Sequence, residues 1–293
     1  YIAWARDNGR AVDRILAQYD RHCRKSVHTY PVDAFRPAQA EALKSQLFRS
    51  GLSAQSVHHL LAFLRRACNY AVGSEKAVKN PFVAVRGGVF SMPRLDNART
   101  RYLTPQEAFR LLEELRSRSE TVYQMAYTAL RTGMRAPEIF RLRREDVDAA
   151  GGVLHVHAKM SGKAETVYAP RDVIAMLLGI AVAHPHDLIF PSRTGQVRTE
   201  TPKTFGRAVE ALGLQRDARS AQRITFHTLR HTFASWLAQS GDVTLQELEA
   251  LMRHHSLAMT QRYAHLIPSA TARKIDLIGD ALKSACPAPH DDD

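Results

Sequence analysis

The stretch from residue 87 to residue 101, GGVFSMPRLDNARTR, divides the chain into two parts. Its paired glycines and its proline disfavour helix and strand, and its three arginines add positive charge, as is typical of an extended basic linker. Directly after it, Thr104-Pro105-Gln106-Glu107 carries the signals of a helix start: an N-cap threonine, a proline at the first helical position and a glutamate that completes a capping box. The sequence therefore predicts two folded units, at 1–90 and 102–285, joined by a linker at 91–101.

The first unit has the pattern of an all-helical domain. Apolar residues recur at helical spacing over residues 1–25 and again over 37–49, where Gly51 ends the run. A third run extends from an N-cap candidate at Ser53 to about residue 72. No internal repeat is visible, so we expect one helical domain.

The second unit is also mainly helical, but it contains one β-like region. Gly151-Gly152 introduces two runs typical of strands, at 153–156 and 166–169, and the polar turn between them holds two lysines. Helical periodicity accounts for most of the rest. The predicted helices lie at about 105–117, 119–131, 136–143, 171–181, 202–212, 227–240, 244–252 and 256–266, with a last one after Pro268. The predicted fold class is mainly α with a small β-sheet (α+β).

Positive charge is concentrated at the start of the chain. The net charge is +12, and residues 1–92 carry 14 Lys and Arg against 6 Asp and Glu. A basic first unit joined by a basic linker is typical of a surface that binds a polyanion such as DNA. The alternative, that the charge only keeps the protein in solution, stays open. The DNA-binding candidates are Arg65, Arg66, Arg94, Arg99 and Arg101.

Cysteine usage is typical of a protein of the cytosol, and hydropathy gives no sign of a membrane segment. Cys23, Cys68 and Cys286 are far apart and odd in number, which favours reduced thiols over disulfides or a metal knuckle. No apolar run reaches the length of about 18 residues that a membrane helix needs, and no signal peptide is visible. The chain starts at Tyr1 and not at Met, so we expect a fragment, and we expect residues 286–293 to form a disordered tail.

Six side chains of the second unit have chemistry suited to a phosphodiester. Arginine offers a phosphate two parallel hydrogen bonds and keeps its charge, so two arginines can do the work of a metal ion. A phenol, with a pKa of about 10, is a better leaving group than an alkoxide. A tyrosine can therefore form a phosphoester that a DNA hydroxyl later reverses. The candidates are Arg135, a lysine at 159 or 163, His227, Arg230, His254 and Tyr263.

Each of these residues alone has an ordinary explanation as a surface arginine, a core tyrosine or a structural histidine. Metal chemistry has weaker support. We interpret Glu145-Asp146-Asp148 as a solvated turn. His227 and His231 have the spacing of a zinc-binding helix, but Thr228 stands where that motif needs glutamate. The sequence therefore predicts neither a metal ion nor a cofactor.

The order of the six residues resembles that of the tyrosine recombinase (phage integrase) family. Four motifs carry the resemblance: TGMRAPEIFRL (132–142), AKMSGK (158–163), HTLRHTFASWLA (227–238) and LMRHHSLAMTQRYAH (251–265). It covers nearly the whole chain, because residues 1–86 look like the family's helical core-binding domain. The resemblance implies a core-type DNA-binding domain at 1–90 and a tyrosine-recombinase catalytic domain at 102–285.

The resemblance also implies a role for each side chain. Arg135 and Arg230 hold the scissile phosphate, and His254 hydrogen-bonds to it. Tyr263 attacks the phosphorus and gives a 3′-phosphotyrosine. His227 takes or orients the proton of the nucleophile.

Two further residues complete the implied site. Lys159, chosen over Lys163 because it follows the first strand directly, protonates the leaving 5′ oxygen, and Glu138 supports the site. The chain departs from the family around the second histidine, where Arg253 replaces the usual glycine and His255 replaces a small residue. An arginine there is expected to demand a different turn and to add charge near the phosphate.

These features predict a site-specific DNA recombinase, the integrase of a prophage or integrative element, that needs neither metal nor ATP. Two alternatives stay open: a type IB topoisomerase-like enzyme that relaxes DNA, and a catalytically silent DNA-binding regulator. The expected partners are double-stranded attachment sites, three further protomers in a homotetramer on paired sites and, optionally, DNA-bending accessory proteins, with no membrane. We expect a bacterial cytoplasmic protein associated with the nucleoid.

The segment 269–283 is expected to form the last helix. Its apolar stripe of Ile275, Leu277, Ile278 and Leu282 must be buried somewhere. The resemblance implies docking on a neighbouring protomer in a cyclic assembly. Packing on its own catalytic domain is the alternative.

Overall fold

The computed structural model describes most of the chain, in six segments: 1–84, 87–95, 101–157, 164–215, 222–254 and 256–268. The chain divides into two compact units, Tyr1–Asn97 and Ala98–Asp293. Each unit has a hydrophobic core of its own. The predicted fold class, mainly α with a small sheet, is confirmed.

The described part of the first unit consists of helices and loops. Its helices are α1 (Ile2–Asp7), α2 (Asp13–His22), α3 (Arg24–Val27), α4 (Pro37–Arg49) and α5 (Ala54–Gly73). α4 starts at a proline, whose missing N–H has no helical partner in a first turn anyway. Ser53 caps α5, since its hydroxyl accepts a hydrogen bond from the backbone N–H of Ser56 at 3.3 Å. Apolar faces of α2, α4 and α5 meet in the core.

The second unit contains the remaining helices. They are α6 (Pro105–Arg118), α7 (Glu120–Thr132), α8 (Ala136–Ile139), α9 (Arg171–Gly179), α10 (Lys203–Ala211), α11 (Phe226–Ser240), α12 (Leu245–Met252) and α13 (Leu257–Thr260). Two 3-10 helices, Arg144–Asp146 and Gln261–Leu266, complete the described helical elements. The capping box at Thr104 forms as predicted: Thr104 Oγ1 accepts from Glu107 N at 3.2 Å, and Glu107 Oε2 accepts from Thr104 N at 2.9 Å.

Within the described residues, three strands form an antiparallel sheet in the order β1-β2-β3. They are β1 (Val147–Asp148), β2 (Val153–His157) and β3 (Ala164–Tyr168). β2 and β3 pair with Val153 opposite Tyr168 and His157 opposite Ala164. The inward residues Leu154, Val156 and Val167 are buried in the main core of the unit, so the sheet packs on the helices by one face.

α7 and α11 pack closely because the residue after α7 is a glycine. Gly133 caps α7 with a φ of 66°, in the left-handed region that favours glycine. A Cβ on Gly133 would lie 2.5 Å from Cδ1 of the Phe233 ring on α11. Glycine is therefore required here both for the backbone conformation and for the close approach of the two helices.

A smaller core cluster joins α11, α12 and the 3-10 helix Gln261–Leu266. Its buried residues are Ala234, Ala238, Leu248, Met252 and Tyr263. Because Tyr263 belongs to this cluster, the packing of α12 on α11 fixes the position of the proposed nucleophile.

Four secondary-structure predictions need correction. The predicted helix 1–25 breaks after α1, where Gly9 has a φ of 66°. The helix predicted at 136–143 is only the four residues of α8, and the one at 256–266 is α13 followed by a 3-10 helix. The acidic stretch at 145–148 is solvated only in part: Glu145 is exposed, but Asp146 is buried and its Oδ2 accepts from Arg143 N at 2.8 Å.

Several predictions fall outside the described residues. They concern Arg99, Lys159, Lys163, His255, the last helix at 269–283 and the tail at 286–293.

Candidate active site

α11 carries the most buried charged side chain of the site. Arg230 is 3% exposed. Its Nη1 donates to the backbone oxygen of Gly133 at 2.5 Å, and its Nη2 donates to the backbone oxygen of Met252. Arg230 therefore ties α11 to the end of α7 and to the end of α12.

The second arginine lies at the start of α8. Arg135 Nη1 donates to Glu138 Oε1 at 2.8 Å, and the backbone N–H of Arg135 donates to Glu138 Oε2, also at 2.8 Å. Arg135 Nη2 donates to the backbone oxygen of Arg253 at 3.1 Å. This short helix thus places Glu138 where it fixes the direction of the Arg135 guanidinium.

The two arginines meet at one point of the backbone. Arg230 binds the carbonyl of Met252 and Arg135 binds the next carbonyl, that of Arg253. The residue that follows is His254. Three predicted site residues, which lie far apart in the sequence, are therefore brought together at the end of α12.

His254 is held by the buried hydroxyl of Thr260. Its Nδ1 lies 2.8 Å from Thr260 Oγ1. Burial, followed by the charges of Arg230, Arg135, Arg262 and His227, lowers the pKa of His254 to about 4. The imidazole is therefore neutral at pH 7, and its other nitrogen, Nε2, is the one left to contact a substrate.

Tyr263 lies in the core cluster between α11 and α12. It is 4% exposed, and its hydroxyl oxygen lies 2.8 Å from Nδ1 of His231. The two rings are tilted by 49° with centroids 5.1 Å apart. Burial raises the pKa of Tyr263, although the charges of Arg262 and Arg230 offset part of this effect. The phenol therefore keeps its proton at neutral pH.

Charge in the site is predominantly positive. Burial, together with the charge of Arg135, lowers the pKa of Arg230 to about 10, which still leaves it protonated at neutral pH. Burial acts to raise the pKa of Glu138, but the charge of Arg253 and the hydrogen bonds from Arg135 outweigh it, so that pKa is lowered. The carboxylate therefore stays ionised beside the arginines.

The turn before His254 corrects one expectation. Arg253 has φ 50° and ψ 51°, the left-handed conformation that a glycine would adopt, so it does not demand a different turn. Its side chain folds inward, where Nη2 donates to Glu138 Oε2 at 2.6 Å and Nε lies 3.7 Å from Glu165 Oε2.

The remaining predicted residues are mostly exposed. His227 is exposed on the first turn of α11, and its charge affects the pKa of His254. Arg65 and Arg66 are exposed on α5, and Arg94 is exposed in the loop beyond it. Arg101, in contrast, forms a salt bridge with Glu107, the third residue of α6 and part of its capping box.

Sequence reasoning missed His231, because its spacing from His227 suggests only a zinc motif. A signal was present. His231 shares a helix face with Ala234, Ser235 and Ala238, at the spacing of 3, 4 and 7 residues that marks a buried stripe. A histidine among such small residues is expected to be buried and to need a hydrogen-bond partner.

Among the described residues, no cluster of three or more His, Cys, Asp or Glu has a geometry that could hold a metal ion. None of the helices in the described segments is long and apolar enough to cross a membrane.

Known proteins resemble this chain in sequence. The phage integrase family model matches residues 101–269. The integrase of Salmonella phage P22 is 29% identical over 270 residues, which cover 88% of this chain and 63% of that protein. The tyrosine recombinase XerD of Haemophilus influenzae is 28% identical over 231 residues, covering 74% of this chain and 73% of XerD.

A solved structure has the same fold. The Tn1549 transposon integrase in complex with circular intermediate DNA superimposes with a TM-score of 0.70 at 21% identity, covering 94% of this chain and 97% of that one. This chain spans somewhat less than two thirds of the length of the P22 integrase. The family match extends over more than half of the chain and includes Arg135, His227, Arg230, His254 and Tyr263. The chain belongs to the phage integrase family, the tyrosine recombinases.

Proposed function

We propose that this chain is a site-specific DNA recombinase that cuts and rejoins DNA through a covalent bond between Tyr263 and the strand. The observation that carries the proposal is the environment of Arg230. Within the described residues, this guanidinium is bonded to neutral carbonyl oxygens and has no carboxylate within ion-pair distance. A buried guanidinium that contacts no carboxylate favours an anionic ligand, and its flat fork matches a phosphate.

The neighbouring charges reinforce this preference. Arg135 and Arg253 share the carboxylate of Glu138, and Glu165 lies near Arg253. Of these three arginines, Arg230 is the one without a carboxylate within ion-pair distance among the described residues. A phosphodiester with its two non-bridging oxygens would supply the missing negative charge and would place the phosphorus between the two arginines.

The proposed reaction is an in-line displacement. The phenolic oxygen of Tyr263 bonds to the phosphorus, and the bond between the phosphorus and the 5′ oxygen breaks. Arg135 and Arg230 stabilise the charge on the non-bridging oxygens, and neutral His254 donates a further hydrogen bond to one of them. The product is a 3′-phosphotyrosine and a free 5′ hydroxyl. A 5′ hydroxyl then reverses the step, so one phosphoester replaces another and no ATP is needed.

Two proton transfers accompany this exchange. Tyr263 enters as a protonated phenol, so a base must accept its proton, and we assign that role to His227. The leaving 5′ oxygen must gain a proton, and we assign that role to Lys159, which lies outside the described residues.

The proposed partners follow from the number of strands. Recombination of two duplexes exchanges four strands, and each exchange uses one tyrosine. Four protomers on two paired attachment sites are therefore required, with DNA-bending proteins as optional accessories. Exposed basic residues of the first unit, such as Arg65, Arg66 and Arg94, would contact the duplex around the cleavage point. The setting we propose is the bacterial nucleoid, where the chain would integrate and excise a mobile element.

A nicked duplex that carries the junction of the element tests the proposal. The nick releases a short strand after cleavage, so the covalent protein–DNA species accumulates and survives SDS. Tyr263→Phe should bind the duplex and form no such species. A supercoiled plasmid without the junction is the specificity control, because a type IB topoisomerase would relax it and a site-specific recombinase would not. A covalent species formed by Tyr263→Phe would contradict the proposal, and so would relaxation of the plasmid that lacks the junction.

A further inference from the structure

Arg253 occupies a backbone position that disfavours a side chain. Its φ of 50° lies in the left-handed region, where a Cβ approaches the following carbonyl oxygen. A glycine would adopt this conformation without strain. The chain nevertheless has an arginine here, with its side chain only 9% exposed. The position of this side chain is therefore set by contacts inside the protein and not by solvent.

The contacts of Arg253 connect three separate segments of the site. Its backbone oxygen accepts a hydrogen bond from Arg135 at 3.1 Å, and its Nη2 donates to Glu138 Oε2 at 2.6 Å. On the other side, Nε lies 3.7 Å from Glu165 Oε2, on β3. Within the described part of the chain, the hydrogen bonds of this guanidinium go to Glu138, and Glu165 contributes only its charge.

Glu138 is consequently held from two sides. Oε1 accepts from the Arg135 guanidinium, while Oε2 accepts from the Arg135 backbone N–H and from Arg253. Removing Arg253 would leave Oε2 with only the backbone donor. The carboxylate could then rotate, and the direction of the Arg135 guanidinium would no longer be fixed.

We infer that Arg253 is a positioning residue for phosphodiester cleavage: it clamps Glu138 so that Arg135 presents its guanidinium to the phosphate. This inference rests on the proposed function, since it assigns Arg253 a part in the same reaction. In this role Arg253 acts through Glu138, and the carboxylate of Glu165 on β3 lies 3.7 Å from its Nε.

Replacement by glycine separates this role from a role in the turn. Arg253→Gly relieves the backbone strain and removes the clamp. If Arg253 positions Glu138, covalent-complex formation on the nicked junction duplex should slow by about 10- to 100-fold, as when residues that orient metal ligands are lost. The dissociation constant for the duplex should stay unchanged. A glycine variant as fast as the wild type would overturn the inference.

Graded variants test the contacts themselves. Arg253→Lys keeps one charge near Glu138 but cannot reach both carboxylates, so its rate should fall between those of the wild type and Arg253→Gly. Glu165→Gln should slow the reaction less than Arg253→Gly does. Arg118→Gln is the matched control, because it removes an exposed arginine that is paired with Glu114 on α6, outside the site. A lysine variant slower than the glycine variant would contradict the clamp.

The pH profile gives a readout that simple loss of structure would not move. Two cations contact Glu138: Arg135 from the start of α8 and Arg253 from the end of α12. The charge of Glu138 also acts, from farther away, to raise the pKa of Arg230 on α11. Without Arg253 the carboxylate loses a cation, so it should gain a proton at higher pH. In Arg253→Gly, the fall of the cleavage rate on the acid side should therefore begin at a higher pH than in the wild type. A uniform loss of rate at every pH would overturn the inference.

The same effect can be measured without DNA. In protein labelled with ¹³C at the glutamate carboxyls, the Glu138 signal, assigned with Glu138→Gln, should titrate at higher pH in Arg253→Gly than in the wild type. An unchanged titration would overturn the clamp whatever the DNA experiments show. A wild type that forms no covalent complex would instead contradict the proposed function, so the two failures are distinguishable.

Discussion

The hydroxyl of Tyr263 lies 2.8 Å from Nδ1 of His231, inside the cluster that joins α11 to α12. The bond links residues 32 positions apart and is shielded from solvent, since both residues are buried. A buried hydrogen bond of this kind stabilises the fold by about 0.5–1.5 kcal/mol, whereas leaving one partner alone costs about 1–3 kcal/mol. The proposed nucleophile is thus also part of the core.

A double-mutant cycle should detect this bond. His231→Phe and Tyr263→Phe each leave a buried polar group without this partner, so each should lower the free energy of unfolding by about 1–3 kcal/mol. The double variant places two rings side by side and should cost clearly less than the sum of the two. Urea unfolding of the four proteins measures the difference. Strictly additive costs would show that the bond does not form in solution.

Arg230 should not be replaceable by lysine. A lysine has one donor group and cannot bridge the carbonyls of Gly133 and Met252 while facing a phosphate. We expect Arg230→Lys to lose on the order of 3–4 kcal/mol of transition-state stabilisation, comparable to the removal of an oxyanion donor. The rate of covalent-complex formation in EDTA measures this loss, with Arg118→Lys as the control. Restoration of the variant by Mg²⁺ would contradict a mechanism based on arginine.

His254 should titrate far below an ordinary histidine. Its pKa of about 4 means that the ring gains its proton only in acid, because burial and nearby cations disfavour the charged form. In an NMR titration of the imidazole Cε1–H signals, the signal lost in His254→Asn should shift below pH 5. Sulfate, which does not titrate in this range, should raise the pKa by offsetting Arg230 and Arg135. A midpoint near 6.5, unaffected by sulfate, would contradict this arrangement.

Gly133 should be far more sensitive than another glycine with the same backbone conformation. Gly133→Ala and Gly195→Ala both place a Cβ at positive φ, which costs about 1–2 kcal/mol. Nothing lies within 4 Å of a Cβ at Gly195, but at Gly133 it meets the Phe233 ring. Gly133→Ala should therefore lose a further 1–3 kcal/mol or so from overpacking. Equal losses of unfolding free energy would show that the ring moves away freely.

The general acid can be identified by changing the leaving group. A thiolate departs without a proton, so a substrate with sulfur at the 5′ bridging position does not need the acid. Lys159→Ala should cleave this substrate at nearly the wild-type rate and the ordinary substrate slowly. The matched variant is Lys163→Ala. If Lys163→Ala shows the rescue and Lys159→Ala does not, the assignment belongs to Lys163.

Local chemistry made much of the fold predictable. Thr104 and Ser53 specify helix starts with their own hydroxyls, and Pro37 suits a first helical turn, so these boundaries follow from neighbouring residues. The break after α1 is harder to predict, because a single glycine is tolerated within a helical pattern and the sequence does not show that Gly9 adopts a positive φ.

The candidate site was predictable in its residues and unpredictable in its packing. The order of arginines, histidines and tyrosine pointed to the chemistry. The hydrogen-bond partners of Arg230 and His231 did not follow from any periodicity, because they lie at Gly133, Met252 and Tyr263, between 22 and 97 residues away. Likewise, Arg253 keeps a glycine-like turn because a distant carboxylate, Glu138, holds its side chain.

The hydrogen bonds to the carbonyls of Met252 and Arg253 make the site sensitive to chain length ahead of His254. Main-chain oxygens are present whatever the side chain, so residues of α12 can be substituted without removing the acceptors of these two hydrogen bonds. An insertion or deletion of one residue between Thr244 and His254 is different, since it would rotate both carbonyls away from their guanidiniums. In a chimaera that borrows α12 from a relative, matching the number of residues would therefore matter more than matching their identity.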